Sequence, residues 1–286
     1  MVDERISYLC PNDCYYAHLS IYHFAVPICK DRVVLDAGSG TGYGSAYLAE
    51  HGATQVIGVD ADRSSVEARR RHFSASNLEF QCQDLRRIAG FPDSHFDVIF
   101  SSNSLEHIEG VESFFRTAWR LLKLAGILIT AVPAARNKQS VEYELGNLHH
   151  MNIWSPQHWY DVHRRYFSAV RCHTHLLTKQ EGLLQVDNDP EDTTIRETDF
   201  IFPEETLQNL YRNDNHTSIF VATVPVAESD LPSPNSIAII TDYSISRPAY
   251  PGWIQPFFWI YYRIRYILRY EGPGSLLKKA VKKLTR

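Results

Sequence analysis

Apolar residues along this chain come in short runs separated by stretches of helical spacing, and that alternation predicts its elements. Arg32–Ala37 is an apolar run that ends in a glycine cluster, as a strand buried on both faces would. Tyr43–His51 turns Ala46, Leu48 and Ala49 to one side, which predicts a helix. Further strands are expected over Gln55–Asp60, Asn77–Gln83, His95–Ser101 and Gly126–Val132, the last stopped by Pro133. Between them, Arg63–Phe73, basic on its outer face, and Val111–Lys123 predict helices. Such alternation with short connections calls for a parallel sheet covered on both sides by helices. Ser155–Phe167 adds a helix with a serine cap and a proline in its first turn. Ala169–Thr178 and Thr217–Val224 predict strands that form an antiparallel edge. The expected fold class is α/β, a three-layer sandwich around a mostly parallel seven-stranded sheet with an antiparallel edge strand and a C-terminal helical tail.

Four segments follow: a cap-helix region over 1–30, a main domain over 31–225, a proline- and serine-rich linker over 226–252, and a basic aromatic tail over 253–286. With 286 residues, 44% hydrophobic and 22% charged, the chain can bury one large core and is not of disordered composition. A net charge of -4 gives no overall reason to expect nucleic acid as partner. The charge is uneven, however: residues 180–218 are acidic and 263–286 basic. Five cysteines include no zinc-like pair of pairs, so free thiols in a reducing compartment are expected, which points to the cytoplasm. The start, Met-Val-Asp-Glu-Arg, lacks the basic-then-apolar pattern of a signal peptide, and no run of about 18 apolar residues predicts a membrane span.

The candidate chemistry centres on Val33-Val34-Leu35-Asp36-Ala37-Gly38-Ser39-Gly40-Thr41-Gly42-Tyr43-Gly44. A strand must turn here into a helix, and glycines let the backbone approach a ligand closely. The helix start offers N–H groups and a positive dipole end to a carboxylate or phosphate. A dinucleotide fingerprint fits neither frame, since Tyr43 and Ser45 stand where its last glycine is needed. Asp36 instead precedes the first glycine by two residues, and glycines alternate afterwards.

This pattern resembles motif I of the class I S-adenosylmethionine-dependent methyltransferases, and further likenesses follow in order over about a hundred residues. Val56-Ile57-Gly58-Val59-Asp60 puts an acid at a strand end, where the family holds the ribose hydroxyls; the other reading of Asp60 is a helix cap. Phe80-Gln81-Cys82-Gln83-Asp84-Leu85 matches the place where an acid meets the adenine amino group, unless Asp84 is a surface acid. Phe96 to Ile108 is similar to the fourth-strand motif that closes over the methionine part, and Leu121 to Leu128 to the following helix-to-strand turn. The resemblance implies a Rossmann-like fold, S-adenosyl-L-methionine as cofactor, and contacts from Asp36, Gly38, Ser39, Gly40, Thr41, Gly42, Tyr43, Asp60, Ala61, Asp84, Leu85, Ser101, Asn103 and His107. His107 reads equally as a packing histidine.

Two flanking segments resemble members of the family found in glycan biosynthesis clusters. The first is Tyr15 to Ala25, expected as a helix over the cofactor cleft, where Ile21 stands in place of that group's arginine. Tyr22 there either packs on the sulfonium cofactor or belongs to the core. The second is Gly146-Asn147-Leu148-His149-His150-Met151-Asn152-Ile153-Trp154. Loops at the carboxyl ends of strands line the cleft of such sheets, and a histidine near neutral pKa takes a hydroxyl proton. His149 or His150 is the expected base, against a structural role for both; no metal site is expected, since adjacent histidines rarely ligate one ion. The resemblance implies an O-methyltransferase acting on a small-molecule or glycan acceptor, alternatives being another small molecule such as a polyketide, lipid or quinone-like compound, or cofactor binding without catalysis. In the tail, Phe257 to Tyr270 is aromatic and cationic, and Ser275 to Arg286 carries Leu276, Leu277, Val281 and Leu284 at helical spacing among four lysines. This fits peripheral contact with an anionic membrane, such as an inner membrane face, or docking on the protein itself or a second subunit.

Overall fold

The computed structural model describes residues 9, 11–147, 149–178, 193–232, 245–246, 261 and 264. The expected tail helix therefore lies outside the described residues, except for Tyr261 and Ile264.

The apolar runs become the strands β1 (Val33–Ala37), β2 (Gln55–Asp60), β3 (Leu78–Cys82), β4 (Phe96–Ser102) and β5 (Leu122–Val132). They are joined by the helices α1 (Asp13–Cys29), α2 (Tyr43–Glu50), α3 (Arg63–His72), α4 (Glu112–Leu121) and α5 (Lys138–Leu145) as the chain order requires. After β6 (Asn152–Ile153) come α6 (Pro156–Tyr166), β7 (Phe167–Thr174), β8 (Leu176–Leu177), β9 (Phe200–Ile201), β10 (Glu204–Glu205), β11 (Ser218–Pro225) and β12 (Ile245–Ser246). The main sheet has the order β10-β7-β11-β5-β4-β1-β2-β3. β1 to β5 are parallel, whereas β11 runs antiparallel to both β5 and β7. The seven expected strands are present, and two-residue β10 adds an eighth at the β7 edge.

Successive side chains on a strand point to opposite faces, so strands apolar throughout need cover on both. Val34, Val98 and Phe100 pack with Ile21 and Ala25 of α1 and Leu48 of α2. Leu35, Ala37 and Ile99 pack on the other side with Phe114 and Phe115 of α4 and Trp159 and Val162 of α6. These two cores make the three layers, and the loops at the carboxyl ends of β1, β2, β4 and β5 gather along one rim.

Several boundaries differ from the sequence expectation. β5 starts at Leu122, inside what helical spacing predicts as the end of α4. Leu122 is buried and pairs with Phe96, and Lys123 Nζ bonds Asp97 Oδ1 at 2.7 Å, so sheet pairing overrides local propensity. α5 was not expected; among its residues only Val141 is buried, and its start is fixed by a polar device, Asn137 and Ser140 capping each other's backbone. The strand expected over Ala169–Thr178 breaks after Thr174, and β8 pairs with β9 instead of extending β7. Ile245 and Ser246, inside the expected linker, pair with Ile153 and Asn152 of β6. The four described cysteines, Cys14, Cys29, Cys82 and Cys172, form no disulfide. Among the described residues no helix is long and apolar enough to cross a membrane.

Candidate cofactor and acceptor site

The glycine loop is pinned where β1 meets α2. The N–H groups of Gly38 and Ser39 both donate to the Val59 carbonyl, at 2.8 and 3.0 Å. Gly38, Gly40 and Gly42 have φ of +90°, +54° and +87°, the left-handed region that glycine enters without steric cost. A Cβ on Gly38 would lie 2.1 Å from Ser104 Oγ, whereas one on Gly40 would meet nothing nearer than 4.0 Å. The loop thus presents bare backbone to open space at Gly40. Thr41 and Tyr43 flank it half-buried, and Ser39 is buried with its hydroxyl accepting from Arg69 Nη1 at 3.3 Å.

Asp36 lies beneath this loop and is fully buried. It accepts from Ser45 Oγ at 2.5 Å, and the Tyr22 hydroxyl stands 3.4 Å from each carboxylate oxygen. Burial pushes Asp36 up to about 7, a shift that the Ser45 and Tyr22 hydrogen bonds and Arg69 oppose. Tyr22 packs into the core, its ring 4.7 Å from Phe100 and so close to Gly44 that a Cβ there would fall 2.0 Å from the ring. It locks α1 onto the glycine helix.

Asp60 ends β2 at the same rim. Its Oδ2 accepts from Gly40 N at 3.0 Å and lies 3.4 Å from Arg69 Nη2, while Oδ1 accepts from Asp62 N at 3.0 Å. Each carboxylate oxygen has two lone pairs, so these bonds orient Asp60 and leave acceptor capacity for hydroxyls. The cap of α3 is Asp62, not Asp60. Ala61 is exposed beside it. Asp84 caps the short helical turn Leu85–Arg87 and is held by Arg86, at 2.6 Å, on a surface about as open for both. That pairing draws the Asp84 carboxyl below its ordinary range. Leu85 is buried against the Gly38 position. From β4, Ser101 Oγ donates to the Ala37 carbonyl at 2.8 Å. Asn103 has φ +47°, donates its N–H to Ala131 O at 2.8 Å and its amide to Ser102 Oγ at 3.1 Å.

Next to Asn103 the chain builds a histidine corner. His107 Nδ1 bonds the His149 carbonyl at 3.0 Å, and its Nε2 lies 3.7 Å from Glu106 Oε1. The rings of His107 and His150 meet edge to face with centroids 4.7 Å apart. His150 Nδ1 in turn bonds Glu144 Oε2, from α5. Asn152 fastens this turn by donating to the carbonyls of Leu105 and Ile108, at 2.9 and 2.7 Å, and Met151 N donates to Glu106 O at 2.7 Å. Burial lowers His107 to about 3, with His150 adding to the effect and the hydrogen bond to the His149 carbonyl opposing it, so the ring is neutral at pH 7. Of the two histidines expected as base, His150 is oriented by a carboxylate, while His149 contributes its backbone carbonyl to the corner.

Sequence reading passed over Glu106 and Glu144, and a group of buried histidines. His18 of α1 lies 3.5 Å from the Asn103 amide, and burial lowers it to about 4. His175 bonds Ser20 Oγ at 2.9 Å and meets His216, whose pKa burial lowers to about 4, at 5.7 Å between centroids. Histidine scattered one per element carries no spacing signal, so only the fold gathers them.

The donor set fits S-adenosylmethionine: bare glycine backbone at a helix start for the amino-acid end, and the oriented Asp60 carboxylate for a ribose. A family profile described as "Methyltransferase domain" matches residues 35–130. A probable S-adenosylmethionine-dependent methyltransferase of Mycobacterium tuberculosis is 33% identical over 116 residues, 41% of each chain. The phosphoethanolamine N-methyltransferase of Triticum aestivum is 31% identical over 133 residues, 46% of this chain and 25% of that one. The ubiquinone biosynthesis O-methyltransferase of Coxiella burnetii is 35% identical over 101 residues, 35% of this chain and 42% of that one. The chain thus spans less than half the length of these curated relatives. Among solved structures, the complex between the Haloferax volcanii Trm112 methyltransferase activator and a methyltransferase is similar with a TM-score of 0.56 at 18% identity, covering 76% of this chain and 92% of that one. A methyltransferase of Thermotoga maritima gives 0.55 at 16%, covering 74% and 90%. At such identities these two speak for the fold, while the sequence matches place the glycine loop, Asp60, Asp84 and β4 inside the matched region. Residues 35–130 thus carry the chain's likeness to S-adenosylmethionine-dependent methyltransferases, on a fold that it shares with them.

Proposed function

We propose that the chain transfers a methyl group from S-adenosylmethionine to a hydroxyl of a sugar or glycan intermediate. Bound S-adenosylmethionine supplies an electrophilic methyl on a positively charged sulfur. The chain's own part is to hold that cofactor through the Gly38–Tyr43 loop and Asp60, and to draw the proton from the attacking hydroxyl. The observation that carries the reading is the His150–Glu144 pair at the β4 rim. A carboxylate on Nδ1 fixes the tautomer whose lone pair is on Nε2, and it stabilises the imidazolium that forms. The neutral His18, beside Asn103, suits an acceptor rich in hydroxyls, because a neutral imidazole both donates and accepts. The resemblance to glycan-cluster methyltransferases at both flanks supports a sugar. The basic aromatic tail, in this reading, brings the protein to an anionic membrane surface where lipid-linked glycans are found.

Labelled S-adenosylmethionine incubated with nucleotide sugars and lipid-linked glycans tests the acceptor class. Transfer to a member of that panel is expected; transfer only to protein, nucleic acid or quinone-like compounds overturns it. His150→Gln is expected to lower turnover about 100-fold or more while cofactor affinity stays within about twofold, and His149→Gln to do less. Equal, small effects in both variants would remove the His150 role.

A further inference from the structure

The histidine corner has a second property that the methyl-transfer motifs do not assign. One carboxylate oxygen of Glu106, one ring nitrogen of His107 and one of His150 all lie within 4.8 Å of one another. Two imidazoles and a carboxylate are the donor set of many open zinc, manganese and iron(II) sites, which keep further positions for water or substrate. Around an ion bound at about 2.1 Å, tetrahedral geometry puts donor atoms about 3.4 Å apart, so the corner closes on an ion by side-chain adjustments of about an ångström.

The outer contacts are those of a metal centre as well. Metal-bound histidines pass their other ring N–H to a carbonyl or carboxylate, which orients the ring and makes the ligating nitrogen more basic. His107 Nδ1 bonds the His149 carbonyl, which can only accept, so the proton is on Nδ1 and the lone pair on Nε2, the nitrogen 3.7 Å from Glu106. His150 Nδ1 bonds the Glu144 carboxylate, which gives that ring the same tautomer. Glu106 is 2% exposed, and a buried carboxylate favours a cation beside it. The donors also come from two places in the chain that Asn152 ties together, through its bonds to Leu105 and Ile108.

We propose that Glu106, His107 and His150 bind one divalent transition-metal ion, with Glu144 and the His149 carbonyl as the groups that orient the two rings. The site itself does not depend on the acceptor. Its consequence for catalysis rests on the methyl-transfer reading: with the ion in place, a coordinated acceptor hydroxyl loses its proton more readily, and His150 changes from proton acceptor to ligand. The proton then leaves to solvent, and no electron is transferred.

Calorimetric titration of the chelator-treated chain with Zn²⁺ and with Mn²⁺ alone tests the site, S-adenosylhomocysteine binding being measured on the same samples. About one ion per chain is expected, with affinity at least tenfold weaker in Glu106→Gln and in His150→Gln, and unchanged in His51→Asn on the exposed end of α2. Absence of uptake by a chain that binds the nucleoside overturns the site and leaves the methyl-transfer reading standing. Uptake that neither corner variant weakens, while both still bind the nucleoside, overturns it too. Uptake retained by a chain that fails to bind the nucleoside supports the site and counts against the methyl-transfer reading.

Discussion

Asp36 illustrates how one buried group joins the fold to pH. A carboxyl in an unfolded chain titrates near pH 4, whereas burial raises Asp36 to about 7 in the folded protein. The folded state therefore holds this proton more tightly than the unfolded state does. Its contribution to stability is complete below about pH 4 and is lost as pH rises to about 7. Asp36→Asn cannot titrate, so wild type is expected to lose about 2–3 kcal/mol relative to that variant between pH 5 and pH 8. Urea unfolding at the two pH values checks this, and an unchanged difference would show that Asp36 is ionised in the fold. The importance of Asp36 was readable from its place before Gly38; its protonation was not. That comes from burial beneath the glycine loop, with Asp60, 24 residues further on, adding to it, against the opposing hydrogen bonds of Ser45 and Tyr22. Tyr22 is a similar case: an aromatic residue fits a cofactor face or a core equally well until its hydroxyl is seen at Asp36.

The strands were legible because each is an apolar run between turn-forming residues, and burial on both faces leaves little choice of register. α5 and the start of β5 were not. Polar capping at Asn137 and Ser140 decides the first, and pairing of Leu122 with Phe96 decides the second, against helical spacing. Neither leaves an apolar pattern. The turn from Gly146 to Trp154 was picked out by its histidines, but its attachment to the 104–108 segment comes from Asn152, a residue with no pattern of its own. Asn152→Ala removes two hydrogen bonds to otherwise buried carbonyls and is expected to cost about 1–3 kcal/mol. The expected kinetic signature is a fall in turnover with S-adenosylhomocysteine affinity near wild type, since the glycine loop is not touched. Equal turnover in the two proteins would mean that the histidine corner takes no part in transfer.

Taken whole, the molecule divides the labour between two regions of sequence. In the proposed reading, residues 35–130 hold the cofactor, and His18 of α1 and the turn around His150 serve the acceptor. Charge patterning extends this to the tail, where four lysines lie among leucines in the last twelve residues. Replacing Lys278, Lys279, Lys282 and Lys283 by glutamine is expected to abolish flotation with anionic liposomes, each cation being worth about 1 kcal/mol near such a surface. Equal flotation by both proteins would assign the tail to another partner. Beneath these expectations stands the proposal that the Gly38–Tyr43 loop and Asp60 seat a sulfonium nucleoside. Isothermal titration of the pure protein with S-adenosylhomocysteine and, separately, with a nicotinamide dinucleotide addresses it. One nucleoside per chain is predicted, with affinity at least tenfold weaker in Asp60→Ala and no heat from the dinucleotide. Silence with the nucleoside and saturable uptake of the dinucleotide would contradict the account.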